Sequence, residues 1–173
     1  KLTSSLVLMM SLVSCGRGLG DDPAPGAGGG TGGASYKRIN LVSSTMPTGD
    51  FGFSHFDSAC SAGYKALAAS TTRYPDTGSG ELDWVLEPNT QYRRMDGTTV
   101  IGTTNNNAVF TFPLTNSFGA AAGKFYTGFN SDWTYDDAST CFDWSSMIDD
   151  RIYGDALSTS SNAINDGVWN CGT

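Results

Sequence analysis

Gln91-Tyr92-Arg93-Arg94-Met95-Asp96-Gly97-Thr98-Thr99-Val100-Ile101-Gly102 is the stretch that decides the fold class. Asp-Gly between two alternating runs is a hairpin signal, because glycine takes the positive φ that a tight primed turn requires. It predicts strands over 91–95 and 98–102 joined at Asp96-Gly97. Working outward, Arg38-Ile39-Asn40-Leu41-Val42 alternates polar and apolar residues like a half-buried strand. Ser54-His55-Phe56-Asp57 has the form of a capping box and Gly63 stands where a glycine ends a helix, which predicts a short helix over 56–62 with Cys60 facing the core. Segments 64–69, 82–86, 109–112 and 124–129 read as short or mixed strands, with a turn region at 75–80. From Asn130 onward the chain is polar and irregular, and Trp133, Trp144 and Trp169 are expected to pin its loops. The sum is an α+β domain.

The start of the chain reads as an address. Leu12-Val13-Ser14-Cys15 closes an apolar run beginning at Leu6 and has the form of a lipobox, and the run is too short to span a bilayer. Residues 1–14 are expected to be a lipoprotein signal peptide, with Cys15 the lipidated residue. Each buried methylene of an acyl chain adds about 0.8 kcal/mol of membrane affinity, so several chains on Cys15 would hold the protein to a membrane. Residues 15–35 follow as a tether of mainly glycine, alanine and proline, which cannot bury enough apolar surface to fold. Residues 36–173 are of ordinary size for one domain.

A net charge of −7 and a pI near 4.4 exclude nucleic acid as the expected partner, since phosphate recognition is built from clustered lysine and arginine. With Cys15 assigned to lipid, Cys60, Cys141 and Cys171 remain. A bridge between Cys141 and Cys171 would close about 30 residues and stabilise by roughly 3 to 4 kcal/mol, and it is the preferred pair. Cys60 is then a free thiol, a dimer link, or one half of a bridge whose partner is missing. The spacing matches no zinc pattern.

Gly49-Asp50-Phe51-Gly52-Phe53, Asp57-Ser58-Ala59-Cys60, Tyr64-Lys65-Ala66-Leu67, Leu82-Asp83-Trp84-Val85-Leu86-Glu87-Pro88-Asn89, Tyr92-Arg93-Arg94-Met95-Asp96-Gly97, Thr127-Gly128-Phe129, Trp133 and Cys141-Phe142-Asp143-Trp144-Ser145-Ser146 come in an order that resembles the endostatin-like lipoprotein domain of spirochaetes. The resemblance covers nearly all of 39–171. It implies a C-type-lectin-like fold: a helix near the start, a small, mostly antiparallel sheet and a long loop region closed by a disulfide. It also implies that a final cysteine-bearing strand, absent here after Cys171, would pair with Cys60, so the domain is expected to be truncated at its C-terminus with Cys60 orphaned. Relatives of this kind bind host matrix and complement-regulating proteins.

Three classes of function follow as expectations. The first is a lipid-anchored, surface-displayed binding module for an extracellular protein, on the bacterial outer membrane, with Trp133, Tyr135, Phe142 and Tyr153 as contact candidates, because aromatic residues dominate interface energetics. The second is a carbohydrate-binding module, calcium-dependent or not. The third is an envelope-structural lipoprotein. Glu87-Pro88-Asn89 matches the tripeptide of calcium lectins but stands some forty residues before Thr127-Gly128, where such a site would not lie. Loop carboxylates, foremost Asp132, Asp136 and Asp137, are calcium candidates that read more simply as solvated turn residues. No cofactor is expected. An enzyme is not expected either: His55 is the single histidine, no nucleophile elbow, metalloprotease motif or phosphate loop occurs, and Asp136-Asp137 are neighbours that would not converge on one substrate bond.

Overall fold

The computed structural model describes residues 11–16, 36–44, 52–78, 80–146 and 149–171. Within them the chain is α+β with short helices: β1 Ser11–Gly16, β2 Tyr36–Ser44, α1 Ser54–Ala59, β3 Lys65–Ala66, β4 Gln91–Arg94, β5 Val100–Thr103, β6 Lys124–Tyr126, β7 Asp150–Asp155 and β8 Gly167–Asn170. The strands form one sheet in the order β5-β4-β2-β1-β6-β7-β8, with β3 also paired to β1. Five pairings among the described strands are antiparallel; β1 with β6 and β2 with β4 are parallel. None of the described helices is long and apolar enough to cross a membrane.

The hairpin forms where Asp96-Gly97 predicts it, with Tyr92 opposite Gly102 and Arg93 opposite Val100. Its loop is wider than a two-residue turn because the Asp96 carboxylate gathers four donors, the backbone N–H groups of Thr98 and Thr99 at 2.8 Å each and their hydroxyls at 3.3 and 2.6 Å. The expected first strand is present and longer, as β2. The capping box does not form. Ser54 lies inside α1, Phe53 is the N-cap with no side-chain bond, and Asp57 instead takes both terminal nitrogens of Arg73, at 2.6 and 2.7 Å. The helix ends at Ala59, so Cys60 is its C-cap and not an interior residue. Of segment 109–112 only an isolated bridge from Phe110 to Thr104 is made, and 82–86 contributes only Leu82 opposite Tyr74.

Cys15 is bonded to Cys60, and Cys141 to Cys171. The second bridge is the expected one. The first corrects two expectations: Cys60 is not orphaned, and Cys15 and Gly16 lie in the sheet and not in a tether. The end of the run that reads as a leader lies in β1, which supplies partners to both β2 and β6, with Cys15 opposite Asn40 and Leu12 opposite Phe125. A sulfur in a disulfide cannot carry a thioether, so the bridged chain is unacylated at Cys15. Residues 1–10 and 17–35, most of the expected signal peptide and tether, lie outside the described residues.

The core has two parts. The larger gathers Ile39, Val85, Tyr92, Ile101, Phe110, Phe118, Phe125, Phe129 and Trp133; the smaller gathers Cys15, Phe56, Ala66, Tyr126 and Trp144. The segment from Phe129 to Trp144 runs from the first to the second and carries the most unusual backbone in the molecule.

Candidate functional site

Thr140-Cys141-Phe142-Asp143 is a Thr-x-x-Asp capping pattern, and the Thr140 hydroxyl accepts the Asp143 N–H at 3.3 Å as that pattern requires. The turn it opens has the wrong hand. Cys141, Phe142, Asp143 and Trp144 have φ of 54, 49, 54 and 65°, while N–H of Trp144 and Ser145 donate to the carbonyls of Thr140 and Cys141 at 2.6 and 3.0 Å. This is one turn of left-handed helix without a glycine, a conformation that costs roughly 1 to 2 kcal/mol per residue in L-amino acids. Strain of this kind persists only where surrounding contacts over-determine it.

Those contacts can be named. Cys141 is held by its bridge to Cys171. Trp144 is fully buried, its indole N–H donates to the Ala69 carbonyl at 2.8 Å, and Phe56 meets its ring edge-on at 4.5 Å. The Asp143 carboxylate accepts the Thr71 N–H at 2.8 Å and the Thr71 hydroxyl at 2.6 Å, tying the turn to the 70–73 loop. Buried Thr140 pairs with Arg151 of β7. Gly128 allows the close approach beneath: a Cβ there would lie 2.8 Å from Thr140 Cγ2 and 3.3 Å from Trp144 Cζ2.

With its neighbours held inward, Phe142 is left projecting at 62% exposure, the most exposed large apolar side chain described. It forms one wall of a cleft of about 410 Å³ lined by Thr71, Tyr135, Asp137, Ala138, Phe142 and Asp143. Tyr135 packs against the larger core and its hydroxyl lies 3.3 Å from that of Thr140. Burial first, and then the nearby carboxylates of Asp143, Asp137 and Asp136, hold its phenol above the usual value against the opposing Thr140 contact. The cleft is thus aromatic on its walls and negative at its rim.

Of the four aromatic candidates, the structure brings Tyr135 and Phe142 together. Trp133 is not a surface contact: it is 2% exposed, donates from its indole to the Phe110 carbonyl at 2.9 Å and stacks on Phe112. Tyr153 stands apart, packed on Trp169 with ring centroids 4.4 Å apart. Nothing in the sequence singles out Thr71, Ala138, Thr140 or Asp143 for this cleft beyond the capping pattern at Thr140, the one signal that locates the turn.

The calcium candidates are each occupied otherwise or stand alone. Asp132 accepts the N–H and hydroxyl of Thr134 at 3.0 and 2.6 Å, which lowers its pKa, and Asp136 accepts the Ala138 N–H at 3.1 Å. Asp137 faces the cleft. Glu87 pairs with Lys37. Among the described residues no group of three or more His, Cys, Asp or Glu is set to hold a metal ion. Residues 34–162 match the family described as "Protein of unknown function (DUF1554)". No curated protein and no solved structure matches the chain.

Proposed function

The chain belongs to the DUF1554 family, whose description assigns no activity, and we propose from the site itself that it is a non-catalytic binding module for an extracellular protein, docking at the Phe142–Tyr135 cleft. The observation that carries this reading is the left-handed turn at Cys141–Trp144. Backbone strain concentrates at functional sites, and here it holds an aromatic side chain out in water beside a second aromatic ring. A C-type-lectin-like arrangement belongs to the same proposal. It is supported by the short helix on the N-terminal side, the mostly antiparallel sheet and the segment closed by the Cys141–Cys171 bridge.

Lipid anchoring at the outer membrane through Cys15 is the proposed setting, supported by the Leu12-Val13-Ser14-Cys15 pattern. It applies to chains in which Cys15 is not bridged to Cys60.

The test is an array of matrix glycoproteins and glycans probed with the full chain and with Phe142→Asn, with calcium and then with chelator. Asparagine tolerates the left-handed conformation, so the variant removes the ring and keeps the turn. The expected result is chelator-resistant binding to a protein that survives deglycosylation and falls at least about fivefold in the variant. Binding to glycans alone, or binding indifferent to Phe142→Asn, would overturn it.

A further inference from the structure

We propose that the occupant of the cleft is an arginine side chain presented by a basic segment of the protein ligand; this rests on the binding-module reading and assigns the chemistry of the partner. Four observations converge on it. The cleft has aromatic walls, Tyr135 and Phe142, and Phe142 is the most exposed large apolar side chain among the described residues. Two carboxylates, Asp137 and Asp143, share its rim. Asp143 spends one acceptor position of each oxygen on Thr71, and a carboxylate offers about four, so capacity remains. The Asp137 carboxylate accepts no hydrogen bond and enters no ion pair with a described residue, its backbone carbonyl alone taking the Thr140 hydroxyl at 3.2 Å.

Among the described residues no cation answers this charge. Arg73, two residues from Thr71, is committed to Asp57 and Asp83, and Arg151 lies over the Tyr126 ring at 4.4 Å. Among the described residues lining the cleft there is no lysine or arginine. Among the described residues, then, nothing at the cleft neutralises the two carboxylates. Their field also helps to hold the Tyr135 phenol protonated.

A guanidinium suits these walls better than an ammonium. It is planar, weakly hydrated, stacks on aromatic faces and forks its donors toward carboxylates, whereas lysine brings a compact, strongly hydrated charge. The volume, about 410 Å³, is ample for one long side chain. The net charge of −7 adds long-range attraction for a basic segment, which salt will weaken.

The experiment is a titration of isotope-labelled full chain, followed by backbone amide NMR, with three blocked peptides, Gly-Ser-X-Ser-Gly, in which X is arginine, citrulline or lysine. The expected result is saturable shifts of the Thr71, Ala138 and Asp143 amides with the arginine peptide, with Kd on the order of 1 mM. The citrulline peptide, uncharged but of nearly the same shape, should bind at least about fivefold more weakly, and Asp137→Asn and Phe142→Asn should each weaken the arginine peptide by roughly two- to fivefold. Asp137→Asn leaves every side-chain contact of the turn in place, so its effect is not one of folding. Equal binding of arginine and citrulline peptides, equal binding of arginine and lysine peptides, or no shift of those amides at about 10 mM would each overturn the assignment. The two readings fail separately. Loss of array binding in Phe142→Asn without arginine-peptide shifts sinks the arginine assignment alone, while arginine-peptide shifts at the cleft with unchanged array binding sink the protein-docking reading.

Discussion

Phe142 holds φ at 49° and keeps more than half of its surface in water, so it gains little from folding and pays conformational energy for its position. Replacing it should therefore cost binding and not stability: Phe142→Asn is expected to leave the urea midpoint unchanged or slightly raised while weakening array binding at least about fivefold. Gly128 is the opposite case. It has φ of 70° and no room for a methyl group, so Gly128→Ala should destabilise by about 2 kcal/mol or more and displace Thr140 and Trp144 from beneath the cleft, measurable as a lower urea midpoint and altered Trp fluorescence. At this scale the sequence is a partial guide. Tyr135 and Phe142 are visible as aromatic candidates, but Trp133 cannot be told from them, because whether an indole faces water or the core is decided by distant residues such as Phe110 and Trp84. The left-handed turn is invisible for a similar reason. Cys-Phe-Asp-Trp contains neither glycine nor asparagine, and its conformation is enforced by contacts distant in sequence: the bridge to Cys171, the pocket for Trp144 and the Asp143 bonds to Thr71.

Among the elements, the Cys141–Cys171 bridge and the Asp143–Thr71 contacts hold one segment to the rest of the domain. Cys141→Ser with Cys171→Ser should cost roughly 3 to 4 kcal/mol by the loop-closure estimate, and should release the turn so that Phe142 no longer lines the cleft. Loss of array binding in the double variant, at a temperature where circular dichroism shows it still folded, checks this. A second link ties the loop after Leu82 to β3 and the 70–73 loop: Asp83 pairs with Lys65 and with Arg73. Burial pushes the Asp83 pKa up, but these two cations outweigh it and the group titrates below its ordinary value of 3.8. Because the folded value is depressed, the stabilisation is present above about pH 4 and is lost as pH falls through the folded pKa. Asp83 is partly exposed, so the effect stays below about 1 kcal/mol. Asp83→Asn should lower the urea midpoint at pH 7 and flatten its fall between about pH 4 and 2. Elements with their own local signal, the β4–β5 hairpin at Asp96-Gly97 and β2, are legible in the sequence. β7 and β8 are not, since Asp-Arg-Ile-Tyr-Gly-Asp places a buried arginine and a space-limited glycine where a strand pattern would want apolar residues: Arg151 finds Tyr126, and a Cβ at Gly154 would come within 2.2 Å of the Ala163 carbonyl.

On the scale of the whole molecule, Cys15 decides between two chemical forms. Its sulfur joins Cys60 in the folded chain, and the same sulfur is the one a lipobox would direct to lipid. The sequence hides the bridge because the Leu12-Val13-Ser14-Cys15 pattern removes Cys15 from the disulfide count. Intact-mass measurement of protein taken from bacterial membranes, with and without reductant, should divide the two. The proposed anchoring predicts an N-terminus at Cys15, added acyl mass and an alkylatable Cys60; a chain retaining Ser11–Ser14 with no alkylatable thiol before reduction would show the bridged form alone. The sequence shows the α+β class and the 141–171 bridge, but the central place of β1 depends on its pairing with β6, more than a hundred residues away. That same 141–171 bridge makes a closed covalent ring that contains the turn, β7 and β8. A protease that cuts once inside the ring breaks the peptide chain without separating it, so both pieces should run as one band on a gel without reductant and as two with it.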